Sequence, residues 1–232
     1  MRILAVDTAT TSCSVAIVDT DAVLAEVTTG IQQTHAKHLM GMIDTVIDRS
    51  ATPFSDLDGF AVTRGPGSFT GLRIGIATVK GLATASGKPL VGVSTLDALA
   101  MQGASSSHLI CSLLDARRGE VYSSRYRYVN GCLEMERDEA VSTAEKAISD
   151  VNETCLFLGN GAVLYRKIIE ESLGERAQFA PSFHDTIRAS TVAHLSMTAF
   201  ETGHTDNVGE FVPVYIRKSD AEIHRAFLNP SP

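Results

Sequence analysis

The sequence has no tryptophan, and aromatic side chains make up only 6% of its 232 residues. A core must therefore be aliphatic, which the 44% hydrophobic content allows. The four cysteines, Cys13, Cys111, Cys132 and Cys155, lie far apart and form no Cys-x-x-Cys pair. That argues against a disulfide framework or a zinc ribbon and fits a reducing, cytoplasmic compartment. No apolar run approaches the roughly 18 residues of a membrane span. The opening Met1–Asp7 turns acidic too soon for a secretion signal. Basic residues are also short: 20 Lys and Arg against 27 Asp and Glu leave a net charge of −7. Independent binding of nucleic acid is disfavoured on that balance. The length suits one large domain or two of roughly 100–120 residues.

The most informative stretch runs from Arg64 to Ala83. An apolar run from Gly59 to Val62 leads into the turn Gly65-Pro66-Gly67, and a helix-compatible segment follows from Thr70 to Ser86. Strand, glycine-rich turn and helix together aim backbone N–H groups at an anion. No Gly-Lys-Ser/Thr follows, so this is not a P-loop. Gly67-Ser-Phe-Thr-Gly71 also has the wrong spacing for a nucleophile elbow, and no base is paired with Ser68. Inside the helix, Gly71, Gly75 and Gly81 each cost about 0.8–1 kcal/mol against alanine. Small residues at spacing four, Gly71–Gly75 and Ala77–Gly81–Ala85, let another backbone come close. That backbone belongs either to the same domain or to a partner.

The element order nearly repeats. In the first half, strands are expected at 2–6, 13–18 and 22–28. A helix follows from Thr34, its N-cap, to Arg49, with the apolar stripe Leu39, Met42, Ile43, Val46 and Ile47. A strand at 59–62, the helix at 70–86, a strand at 89–93 and a helix at 95–102 complete it. After the linker 103–107, strands are expected at 109–114, 120–129 and 132–141, the last two joined by the hairpin turn Asn130-Gly131. Then come a helix at 143–150, a strand at 155–158, the turn Gly159-Asn160-Gly161, a helix at 162–173, a strand at 178–180 and a helix at 190–202. Pro213 makes the tail 211–216 extended, and 218–227 reads as a last short helix. Two β-β-β-α-β-α halves facing a cleft is the α/β plan of the actin/Hsp70/sugar-kinase superfamily. The expected domains are 1–103, joined by the tail 212–232, and 104–211.

In that plan the first turn of each half clamps phosphates. The first turn here is Asp7-Thr8-Ala9-Thr10-Thr11-Ser12, where Asp7 suits Mg²⁺ or water and Thr8, Thr11 and Ser12 suit phosphate oxygens. The second is Asp115-Ala116-Arg117-Arg118-Gly119, with a single glycine. Its arginines either pair with phosphate or fill the space a nucleotide needs. Asp7, Thr8, Thr11, Ser12, Asp115 and Arg118 thus form a candidate vestigial phosphate site. His35 and His38 share a helix face but have no third ligand, so a rim or interface role is favoured over metal. In Arg125-Tyr126-Arg127-Tyr128 a strand with one solvated face is favoured over an RNA-stacking platform.

Asp7-Thr8 with Ser12-Cys13-Ser14-Val15-Ala16, Thr34-His35 with His38-Leu39, Arg64-Gly-Pro-Gly-Ser-Phe-Thr-Gly-Leu-Arg-Ile-Gly75, Gly92-Val-Ser-Thr-Leu96 and Asp115-Ala-Arg-Arg-Gly-Glu-Val-Tyr122 together resemble the bacterial TsaB family, also called YeaZ. Gly159-Asn-Gly161 and Pro213-Val-Tyr-Ile-Arg217 are weaker echoes. The resemblance implies an accessory, non-catalytic relative of TsaD. TsaD adds a threonylcarbamoyl group to the adenosine beside the anticodon of ANN-reading tRNAs, with the ATPase TsaE joining the complex. Catalytic relatives carry two metal ligands just after a Val-Gly-Val strand. Here those positions are Thr95 and Leu99, so no metal and no cofactor are expected. The implied partners are a TsaD-type catalytic subunit and a TsaE-type ATPase, with tRNA contact only within the complex and a homodimer when alone. The family's partner surface uses the first two helices, which makes Leu39, Met42, Ile43, Val46, Arg73, Ile76, Ala77 and Lys80 the expected contacts. Gly75→Glu or Ala77→Glu should then block assembly and spare the fold. The competing reading is an ATP-binding hydrolase or kinase with its own active site at Asp7 and Asp115.

Overall fold

The computed structural model describes residues 1–20, 22–30 and 35–217. Thr34 as an N-cap, the side chain of His35 and the helix expected at 218–227 lie outside them. The first half runs β1 (Arg2–Asp7), β2 (Cys13–Asp19), β3 (Ala22–Thr29), α1 (His35–Ser50), β4 (Gly59–Gly65), α2 (Phe69–Ser86), β5 (Leu90–Ser94) and α3 (Thr95–Ala100). The second runs β6 (Leu109–Arg117), β7 (Glu120–Val129), β8 (Cys132–Thr143), α4 (Ala144–Ile148), β9 (Cys155–Leu158), α5 (Asn160–Leu164), α6 (Arg166–Leu173), β10 (Ala177–Phe179) and α7 (Ala189–Thr202).

The two sheets have the same topology, β3-β2-β1-β4-β5 and β8-β7-β6-β9-β10. In each, the first three strands pair antiparallel and the last two join parallel, with Val6 opposite Val15 on one side and Val62 on the other. β1 and β4 are near-continuous apolar runs because helices cover both sheet faces. On the outer face of the first sheet, α1 and α2 enclose a core of Leu4, Ile17, Leu39, Phe60 and Leu72. On the outer face of the second, α4 and α6 cover Leu113, Val121 and Phe157. Between the sheets lie α3 and α7, in one continuous core that includes Ile3, Val91, Leu96, Leu99, Ile110, Tyr126, Leu158 and Val192. The two-half α/β plan of the actin/Hsp70/sugar-kinase type is the fold found.

Some local expectations change. α7, which follows the second half in sequence, packs on β1, β2, β4 and β5 of the first sheet. Its N-terminus is held there: Ala189 N donates to Ser14 Oγ at 2.9 Å and Ser190 N to Glu26 Oε1 at 3.0 Å. The helix expected at 162–173 breaks at Tyr165, and Asn160 and Gly161 already belong to α5 rather than to a turn. Gly161 is required by proximity, since a Cβ there would lie 2.8 Å from the Leu113 carbonyl carbon. β7 is buried from Val121 to Tyr126. Arg125, within that stretch, is paired with Asp150, so the strand has no solvated arginine face at that point. Among the described residues no helix is long and apolar enough to cross a membrane.

Candidate functional site

The first turn is closed from within. Asp7 is fully buried; its Oδ1 accepts from the Thr63 hydroxyl at 2.7 Å and from Ala9 N at 3.1 Å. Its Oδ2 has no hydrogen-bond partner among the described residues. Burial pushes the carboxyl up to about 7, against the lowering effect of those two donors. Thr8 is also fully buried, and its hydroxyl donates to Gly71 O at 2.8 Å. Ser12 is buried and bonded to the Thr10 hydroxyl at 2.8 Å, while Thr11 is exposed. Thr8 is therefore a packing bolt against α2. The turn that sequence reads as a clamp is occupied by its own neighbours.

The Gly65-Pro66-Gly67 turn is filled in the same way. A Cβ at Gly65 would meet Val214 O at 2.3 Å, and φ there is +119°. A Cβ at Gly67 would meet Ala9 O at 2.4 Å. These glycines admit two backbone segments of the same chain, so close approach explains them without an anion. Two N–H groups at the start of α2 are engaged as well: Ser68 N donates to Ala9 O at 2.7 Å, and Gly71 N to Ser68 Oγ at 3.2 Å. Along the tail, Val214 N donates to Arg64 O at 2.7 Å. Tyr215 stacks on Phe69 at 4.7 Å and accepts from Arg73 Nε at 3.1 Å, with that guanidinium 3.7 Å above the Phe69 ring.

At the second turn, Asp115 lies 3.4 Å from the Arg117 guanidinium and accepts from Arg117 N at 2.8 Å. Arg217 reaches in from the tail, donating to Ala116 O at 2.9 Å and pairing with Glu120 at 3.3 Å. Arg118 is exposed.

A polar cluster that sequence does not reveal joins the halves. The Tyr126 hydroxyl of β7 donates to Asp97 of α3 at 2.8 Å, and Ser94 of β5 donates to Glu139 of β8. Burial pushes both carboxyls above the usual range, and Arg64 opposes the shift at each. Beside the cluster, Thr95 and Leu99 are fully buried. Thr95 Oγ1 has no hydrogen-bond partner among the described residues, and Leu99 belongs to the inter-sheet core. No group of three or more His, Cys, Asp or Glu placed to hold a metal exists among the described residues.

The expected docking residues separate into two sets. Leu39, Met42, Ile43, Val46 and Ile76 are buried in the chain's own core and are corrected from contact residues to core residues. The apolar stripe of an amphipathic helix turns to its own sheet. Gly71 and Gly75 are corrected too: a Cβ would meet Thr8 O at 2.0 Å and Thr8 Oγ1 at 2.3 Å respectively. Gly75→Glu would therefore damage the fold and does not test docking. Lys80 is half-buried and ties down the tail through Gly209 O at 3.1 Å and Phe211 O at 2.8 Å. Arg73 and Ala77 remain outside with Gly81, Thr84 and Ala85, and on α1 so do His38, Met40 and Gly41. Around Gly81 a Cβ would meet nothing within 4 Å.

Residues 22–225 match the family model described as TsaD: tRNA N6-adenosine threonylcarbamoyltransferase. The chain is 33% identical to the tRNA threonylcarbamoyladenosine biosynthesis protein TsaB of Bacillus subtilis, covering 96% of each. It is 34% identical to the Escherichia coli protein of the same name, covering 95% of this chain and 96% of that one. The YeaZ structure from Pseudomonas aeruginosa superposes with a TM-score of 0.78 at 29% identity, over 92% of this chain and 99% of the other. At the level of the fold alone, component A of the Acidaminococcus fermentans (R)-2-hydroxyglutaryl-CoA dehydratase matches with a TM-score of 0.52 at 12% identity, over 87% and 99% of the two chains. By this model match and these identities along nearly its whole length, the chain belongs to the TsaB (YeaZ) family.

Proposed function

We propose that this chain is a non-catalytic scaffold subunit in the synthesis of threonylcarbamoyladenosine in tRNA. In this reading it binds a TsaD-type catalytic subunit, a TsaE-type ATPase joins them, and tRNA is met only within that complex. Alone, the chain pairs with a second copy of itself through the same surface. It needs no cofactor and no metal of its own. The observation that supports this most is the fate of its most specific motif. The glycines from Gly65 to Gly75 hold α2 against Thr8, Ala9 and the tail, which leaves the outer face of α2 lined by Arg73, Ala77, Gly81 and Thr84. Small side chains there let another helix approach closely, and Arg73, backed by Phe69 and Tyr215, is an anchor of the type that dominates interfaces. The hydrolase reading loses ground because the Thr8 hydroxyl is spent on Gly71 O and the space beside Gly65 and Gly67 is filled by Val214 and Ala9.

Light scattering coupled to gel filtration, on the chain alone and mixed with a TsaD-type protein, tests the reading. The mixture is expected to give a complex that replaces any self-dimer. Ala77→Glu is expected to abolish it while leaving the melting temperature within about 2 °C, since an exposed substitution moves stability little. A complex that forms as well with Ala77→Glu contradicts the assignment of the surface.

A further inference from the structure

After α7 the chain follows the edge strand β5 and then crosses to the second half. Asp206 bridges to Leu90, and its carboxylate accepts from Gly92 N at 2.8 Å. The Phe211 ring lies against Gly92, where a Cβ would be only 2.5 Å from it, and is buried in the core beneath α1 and α2. Lys80 donates to Phe211 O at 2.8 Å, and Val214 N donates to Arg64 O at 2.7 Å. Arg217 then reaches Ala116 O at 2.9 Å and Glu120 at 3.3 Å, both at the hairpin between β6 and β7. Residues 211–217 are thus fixed at both ends, one on each half.

What this pinned segment shows to solvent is apolar. Val212 is 66% exposed and Val214 42%, and next to them Tyr215 stacks on the exposed Phe69. Single apolar residues on a surface are ordinary, whereas a contiguous run beside a helix face marks an interaction site. Over the same ring lies Arg73, which gives its Nε to Tyr215; its two Nη groups have no acceptor among the described residues. Lys80 is spent on tail carbonyls. No Asp or Glu occurs in α2 or in residues 211–217, although the chain carries a net charge of −7. An unmet guanidinium fork in an apolar, acid-free setting is complementary to a carboxylate.

We propose that residues 212–215 form a second side of the docking surface, beside the outer face of α2, and that Arg217 is a positioning residue that fixes this side from the second half. The occupant is the TsaD-type subunit, met through a carboxylate set among apolar side chains. The inference rests on the scaffold reading and adds to it a role for the second sheet. A strip held in its bound shape before the partner arrives loses less freedom on binding, so the grip on Ala116 and Glu120 contributes to docking without touching the partner.

Isothermal titration of the full chain with a TsaD-type protein tests this, with melting curves recorded for every variant. Val212→Asp, at an exposed site, is expected to bind at least tenfold more weakly with its melting temperature unchanged. Arg73→Met is expected to bind at least tenfold more weakly and to lose part of the salt dependence that the wild type shows. Arg217→Ala is expected to weaken binding about tenfold in the wild type and less than twofold in the Val212→Asp background, since a strip that no longer docks gains nothing from being held. Arg217→Lys, which keeps a donor, is expected to lose less. If Val212→Asp and Arg217→Ala bind as the wild type does while Ala77→Glu does not, the tail proposal is overturned and the scaffold reading stands. If the wild type forms no complex, both are overturned. Variants that weaken only a self-dimer, leaving the complex intact, overturn the choice of occupant and with it the proposal.

Discussion

The Thr8 hydroxyl, which donates to Gly71 O at 2.8 Å, lies 2.3 Å from where a Cβ at Gly75 would sit. That one relationship explains why α2 tolerates glycines that weaken it as a helix. β1 turns so close beneath α2 that Gly71 and Gly75 have no room for a methyl group, and the intrinsic cost of each is offset by the packing it permits.

The glycines of α2 should therefore answer differently to alanine. Gly71→Ala puts a Cβ 2.0 Å from the Thr8 carbonyl oxygen, a backbone atom that cannot rotate away. Overpacking of this kind costs about 1–3 kcal/mol or more. Gly81→Ala meets nothing within 4 Å and should stabilise by about 0.8–1 kcal/mol through helix propensity. Urea unfolding of both variants measures the two signs, and equal effects would contradict the packing account.

The pH dependence of stability should carry the mark of Asp7. Its carboxyl titrates near 7 in the folded chain against an ordinary value of 3.8. Between those values the folded state binds more protons than the unfolded, so stability falls as pH rises through that window. At pH 8 the buried charge costs on the order of 4 kcal/mol. Asp7→Asn keeps an acceptor for Thr63 and Ala9 and removes the charge. It should be more stable than wild type at pH 8, with the difference shrinking towards pH 4. Melting curves across that range would sink the idea if the gap stayed constant.

Glu26 anchors α7 to the first sheet. It pairs with Arg188 and accepts from Ser190 N at the start of α7, with its own side chain only 5% exposed. Glu26→Ala leaves both donors without their acceptor and should cost about 2–4 kcal/mol, as loss of charged hydrogen bonds at a partly buried site does. Glu26→Gln, which keeps an acceptor, should lose less. Chemical denaturation of the two variants ranks them.

How far the sequence can be read depends on distance along the chain. β1 and β4 are legible because strands buried on both faces are plain apolar runs. The stripe of α1 is legible as a stripe, but periodicity shows only that one face is apolar. Whether Leu39 and Val46 meet the home sheet or a partner is a tertiary fact, and the home sheet has them. The same ambiguity hides the seat of α7, whose small residues fit either sheet. Gly65 and Gly67 announce a turn, yet what fills it comes from Val214 and Ala9, far off in sequence. Tyr126–Asp97 and Ser94–Glu139 are pairs separated by 29 and 45 residues, and no local pattern marks either of them.

The central claim, a chain that acts by docking and not by its own chemistry, is tested most directly by reconstituted tRNA modification. The TsaD-type subunit, the TsaE-type ATPase and the threonylcarbamoyl donor are combined with wild-type chain, with Asp7→Asn, with Asp115→Asn and with Ala77→Glu. Modification is predicted to require the chain, to persist with both Asp variants and to be lost with Ala77→Glu. Loss of modification with Asp7→Asn or Asp115→Asn in complexes that still assemble would contradict the account and place an active site in this chain.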